Sequence, residues 1–151
     1  MKIKFLLPLL LLFTLTAFSQ GGKDEKREQI KALKVSFLTT ELNLTSEESV
    51  KFWPVYNAFE EKQYDIRHNK MKPIIMKIKK AGDKLTEKEA AGYLNQLGDA
   101  DEELYNLRKK LVADLKPIIG SVKTLKLKKA EDDFNRKLLD KYKDKDNKNK
   151  D

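Results

Sequence analysis

The chain has 151 residues, with 32 Lys and Arg against 24 Asp and Glu, a formal charge of +8, one histidine and no cysteine. That length fits a single domain, and the missing cysteine excludes disulfides and thiolate chemistry. Every nucleophile–imidazole scheme would have to use His68.

Residues 1–19 read as a cleaved export signal. Lys2 and Lys4 form a charged start, Phe5 to Leu15 an apolar run, and Ala17-Phe18-Ser19 a small-x-small cleavage site before Gln20. The run is shorter than the ~20 residues of a spanning helix, and no cysteine stands at the cut to carry a lipid anchor. The expectation is a periplasmic chain of 151 − 19 = 132 residues and charge 8 − 2 = +6. A basic balance ordinarily raises nucleic acid as a partner. Export sets that aside and leaves anionic membrane surfaces, acidic polysaccharide or acidic polypeptides.

Gln20 to Lys26 reads as a flexible start. A first helix follows from about Asp24 to Glu41, with Ile30, Leu33, Phe37 and Leu38 on one face. Ser36, Thr39 and Thr40 are weak helix formers, so fraying is expected at its end. After a turn at Leu42-Asn43-Leu44, Thr45 and Glu48 are spaced as a capping box for a second helix, Ser46 to about Ala81. Its apolar load is heavy. Phe52, Val55, Phe59 and Ile66 form one stripe, and Trp53, Tyr56 and Met71 its neighbour. Together they span more than the arc of about 100° that one packing partner covers, which predicts two partners. Pro54 and Pro73 should bend or break this helix, and Gly82 should end it.

The L-T-x-x-E pattern of Leu44–Glu48 recurs at Leu85–Glu89, with Thr86 as cap and Glu89 as its partner. A third helix is expected to about Lys116, carrying Ala90, Leu94, Leu97, Leu104, Leu111 and Leu115. Pro117 to Gly120 marks a break, and a fourth helix from about Ser121 to Tyr142 carries Leu127, Ala130, Phe134 and Leu138. Lys143 to Asp151, only Lys, Asp and Asn, reads as a disordered tail. No segment alternates with period two. The fold class is all-α with four helices, in one domain over residues 20–142.

No H-E-x-x-H, D-x-D-x-D-G or glycine-rich phosphate loop is present, so the reading is a non-enzyme without catalytic residues or cofactor. Soft metal-ligand candidates are limited to His68, Met71 and Met76. Charge placement is more telling. Ile66 to Lys84 holds seven basic residues (Arg67, Lys70, Lys72, Lys77, Lys79, Lys80, Lys84) against Asp83, 7 − 1 = +6. Met71, Ile74, Ile75, Met76 and Ile78 lie among them. A basic, apolar helix can hold acidic, partly apolar polypeptide or lie on an anionic membrane. The expected partner-binding residues are Phe52, Trp53, Tyr56, Phe59, Arg67, Lys70, Met71, Ile74, Ile75, Lys77, Ile78, Lys79 and Lys80. The plainer alternative makes the isoleucines core and the lysines solvated.

The paired L-T-x-x-E starts, Phe52-Trp53-Pro54-Val55-Tyr56, and Ala130-Glu131 with Phe134 and Leu138-Leu139 follow in order behind the leader. In this the chain resembles the Spy/CpxP superfamily of exported stress proteins, whose hallmark is a repeated L-T-x-x-Q motif. It is most similar to the branch called sensor of ECF-type sigma factor or periplasmic heavy-metal sensor. Glu48 and Glu89 stand where the motif has Gln, and both residue types can close a capping box. The His- and Met-rich ligand sets of metal-sensing relatives are missing. The resemblance implies a four-helix, cradle-shaped homodimer whose concave face binds unfolded clients without ATP. Its alternative is a stress sensor or adaptor that binds a membrane or anti-sigma regulator.

Overall fold

Two Thr–Glu caps and three positive-φ residues set where the helices start and turn. The structure, a computed structural model, describes residues 21–148. The expected leader, 1–19, lies outside them. The described residues are all-helical: α1 (Gly21–Glu41), α2 (Ser46–Asp65), a π-helical turn (Ile66–Met71), α3 (Lys72–Ala81), a 3-10 turn (Gly82–Lys84) and α4 (Glu87–Lys148).

The expected four helices become three helical runs among the described residues, α1, α2 through α3, and α4, the last turned at Gly120 inside the expected Pro117–Gly120 break. The third and fourth predicted helices are joined with no loop, and the joint is Gly120 (φ 76°, ψ 164°). Pro117 does not stop the helix. A glycine-only conformation turns the chain within one residue, so no connecting segment is needed. α4 also continues past Tyr142 to Lys148, and 149–151 lie outside the described residues.

Among the described residues, 21–35 form one compact unit and 36–148 another. In the first, α1 carries a Lys31–Glu28 pair at 3.1 Å, and Leu33 and Val35 stay exposed. In the second, the end of α1 does not fray. Asn43 takes φ 46°, its N–H donates to the Thr40 carbonyl at 3.0 Å, and the Leu44 N–H donates to the Thr39 carbonyl at 3.0 Å. That is a Schellman cap, closed by buried Leu38 and Leu44. Burial of Leu38 and Leu42 outweighs the weak propensity of Ser36, Thr39 and Thr40.

α2 opens on the expected capping box. The Glu48 N–H donates to the Thr45 hydroxyl at 3.1 Å, and the Thr45 N–H donates to the Glu48 carboxylate at 2.8 Å. Pro54 lies inside α2 without ending it. The carbonyl it leaves without a helical donor belongs to Val50, which is 75% exposed and so can be served by water. Pro73 acts differently. It sits at the start of α3, and the turn before it widens to π geometry, the Lys72 N–H donating to the Arg67 carbonyl five residues back. Gly82 (φ 52°) ends α3, and the second Thr86–Glu89 cap starts α4.

Register follows from the polar contacts. Glu48–Lys123 and Tyr56–Glu131 share a separation of 75 residues, so α2 runs parallel to the arm of α4 after Gly120. Arg108 bonds Glu131 across the joint, so the two arms of α4 fold back on each other. Phe52, Tyr56, Phe59, Leu111, Leu115, Ile119, Leu127 and Ala130 meet Leu38, Leu42 and Leu44 in one core.

Candidate polypeptide-binding surface

Of the expected binding residues, Phe52, Tyr56, Phe59 and Ile74 are buried and do not face outward. Here the expectation is corrected. The wide apolar arc of α2 has its two partners inside the chain, because the arms of α4 reach both stripes. Phe52 stacks on Tyr56 at 5.3 Å, and Trp53 meets Phe52 edge-on at 4.9 Å from a half-buried position.

Beneath this cluster sits a polar knot. The Tyr56 hydroxyl donates to Glu131 at 2.9 Å, Arg108 donates to both carboxylate oxygens of Glu131, and its guanidinium lies 5.3 Å from the Phe59 ring centre. Burial and the negative charge of Glu131 push the Tyr56 phenol far above its usual range. Burial works to lower the Arg108 pKa, but the bond to Glu131 outweighs it, so Arg108 stays cationic. Glu131, the second residue of the Ala130–Leu139 segment, thus ties three helical segments together.

The other expected residues form a surface on the π turn and α3. Arg67, Lys70, Ile75, Lys77, Lys79 and Lys80 are exposed, and Met71 and Ile78 are half-buried. The reason is periodic: Ile74 and Ile78 lie four apart on the inner face, which turns Ile75 (41% exposed) and Met76 (59%) outward between lysines. Lys70 bonds Glu103 of α4 at 2.5 and 2.7 Å, so it braces α4 against the π turn. His68 is exposed, stacked 3.8 Å from the Tyr64 ring. Among the described residues no cluster of three or more His, Cys, Asp or Glu is placed to hold a metal ion, and no helix is long and apolar enough to cross a membrane.

The caps are more than local. Lys123 donates to Glu48 at 2.6 Å and to the Asn43 carbonyl at 2.7 Å, joining both chain ends of the α1–α2 turn to α4. Lys123 and the Thr45 N–H hold the Glu48 carboxyl below its ordinary 4.5, and Thr86 does the same for Glu89.

No family model, curated protein or solved structure matches this chain. Its surface must therefore be read from geometry.

A second stretch of the sequence is also both basic and apolar. Arg108 to Lys128 holds seven basic residues (Arg108, Lys109, Lys110, Lys116, Lys123, Lys126, Lys128) against Asp114, again 7 − 1 = +6. Val112 (41%), Val122 (68%) and Leu125 (81%) are exposed there. The signal was present: Val122 and Leu125 fall off the Leu127–Phe134 stripe. Between the arms lies a trough of about 390 Å³, lined by Arg108, Leu111, Val112, Lys116, Ser121, Thr124, Leu125, Leu127 and Lys128. A larger groove of about 620 Å³ between α2 and α4 contrasts in charge, since Lys62, Lys70 and Lys110 face Glu61, Asp65 and Glu103 there.

Proposed function

We propose that this chain is a periplasmic, ATP-independent chaperone or stress-buffering protein of the Spy/CpxP kind, working as a homodimer that holds unfolded or regulatory polypeptides. One observation carries the reading: α3 turns Ile75 and Met76 to solvent amid Lys72, Lys77, Lys79 and Lys80. Adjacent apolar and cationic groups favour loose capture of acidic, partly apolar chains, fast to form and sensitive to salt. The helix rigidly presents both kinds of group, and no nucleotide is required to expose them.

The test is suppression of aggregation of a chemically unfolded client by residues 20–151. The expected result is suppression at low ionic strength that weakens at ~0.5 M salt, where the screening length falls to a few ångströms. Lys77→Glu/Lys79→Glu/Lys80→Glu should reduce it at unchanged helicity, and Ile75→Ser/Met76→Ser should reduce it independently of salt. Full suppression by both variants would overturn the reading. Sedimentation equilibrium checks the dimer, and a concentration-independent monomer mass would remove it.

A further inference from the structure

We propose that the trough between the two arms of α4 docks an acidic amphipathic helix of a partner polypeptide. The site is separate from the α3 face, and its test does not depend on client capture there.

The trough is built to take something apolar. Its floor is Leu111, Leu127 and Thr124, all buried, and its walls are Val112 and Leu125. The Thr124 hydroxyl donates to the Gly120 carbonyl at 2.7 Å, so the floor asks for no further hydrogen bond. Leu125 is 81% exposed and does nothing for the chain's own core, and its position faces the same opening as Val112. An apolar groove between two helices is the usual seat for a third helix, which fills it with side chains at i, i+3 or i+4, and i+7.

Charge selects the occupant. The ionisable residues of the lining are Arg108, Lys116 and Lys128, and no carboxylate lines it. Arg108 is held by Glu131 and Lys128 by Asp132 at 2.5 Å, whereas Lys116 makes no ion pair among the described residues. The Lys128–Asp132 pair is exposed on both sides and yields readily to a competing carboxylate. A second copy presenting this same lining would set Arg108, Lys116 and Lys128 against the same three cations. An acyl chain would need walls that close over it, and Leu125 stands open to solvent. A helix with leucines on one face and glutamates on its flanks satisfies the floor, the walls and the rim together.

The probe is a fluorescein-labelled model helix of about 18 residues, five turns, with leucines on one face and glutamates flanking them. A lysine-flanked counterpart and sodium palmitate complete the set, read by anisotropy and competition at low ionic strength. The expected result is saturable binding of the glutamate peptide, about tenfold tighter than the lysine peptide. Leu125→Gln and Lys116→Glu should each weaken it several-fold, and the α3 triple reversal should leave it unchanged. Both substituted side chains are exposed, so circular dichroism and melting temperature should match the parent. Equal affinity for the two peptides, indifference to both trough substitutions, or sensitivity confined to the α3 reversal would overturn the proposal. So would trough-dependent binding of palmitate without binding of the peptide, which would assign the trough to an acyl carboxylate.

Discussion

Replacing Arg108 by Met tests the joint in α4 and the burial of Glu131 at once. The Arg108 side chain is 29% exposed and that of Glu131 12%. Removing the cation leaves a nearly buried carboxylate with the Tyr56 hydroxyl as its main donor. Breaking a buried pair in this way costs 3–5 kcal/mol in general, and the partial exposure of Arg108 places this case at about 3 kcal/mol. For a chain of this size that is a drop of about 10 °C in melting temperature. Glu131→Gln should cost less, about 1–2 kcal/mol, because the neutral amide still accepts from Tyr56 and Arg108 keeps contact with Phe59 and water. The double variant should cost less than the sum, leaving a coupling of about 1.5–2 kcal/mol. Urea unfolding followed by circular dichroism measures all three. A loss below about 0.5 kcal/mol for Arg108→Met, the level of an exposed pair, together with no coupling, would mean that Arg108 and Glu131 do not meet and that the arms do not fold back on each other.

Further outcomes are accessible to the same assay. Gly120→Ala should destabilise by about 1–3 kcal/mol through its positive φ alone, since an added Cβ meets nothing within 4 Å. Gly98→Ala, equally unobstructed but helical, should stabilise by up to about 1 kcal/mol; equal effects at the two glycines would refute the joint. Glu48 and Glu89 titrate lower in the folded chain than their ordinary 4.5, so their contribution is full above that pH and is lost as pH falls through the folded value. Glu48→Gln should therefore flatten the fall in melting temperature on acidification, and an unchanged pH profile would dissociate Lys123 from Glu48.

Helix starts were legible from local chemistry. A Thr hydroxyl three residues before a Glu satisfies backbone donors whatever else surrounds it, so Thr45–Glu48 and Thr86–Glu89 form the caps their spacing predicts. The stripe Leu127, Ala130 and Phe134 is likewise buried, and the all-helical class follows from periodicity. Helix boundaries that depend on distant contacts were not. The weak formers at Ser36–Thr40 stay helical because Leu38 and Leu42 are buried, and the π turn answers Pro73 without a break.

Sequence order also announced that α2 carries more apolar surface than one neighbour can cover, and that its next segment is basic. It could not say which neighbour lies opposite. Periodicity names the face of a helix, but who fills it depends on where the chain turns. One glycine at φ 76° brings Arg108 to Glu131, seals Phe52, Tyr56 and Phe59 inside, and leaves Val112 and Leu125 lining an open trough. Residues 13 and 23 positions apart meet or stay apart according to that single pair of dihedral angles, a property that composition and spacing do not carry.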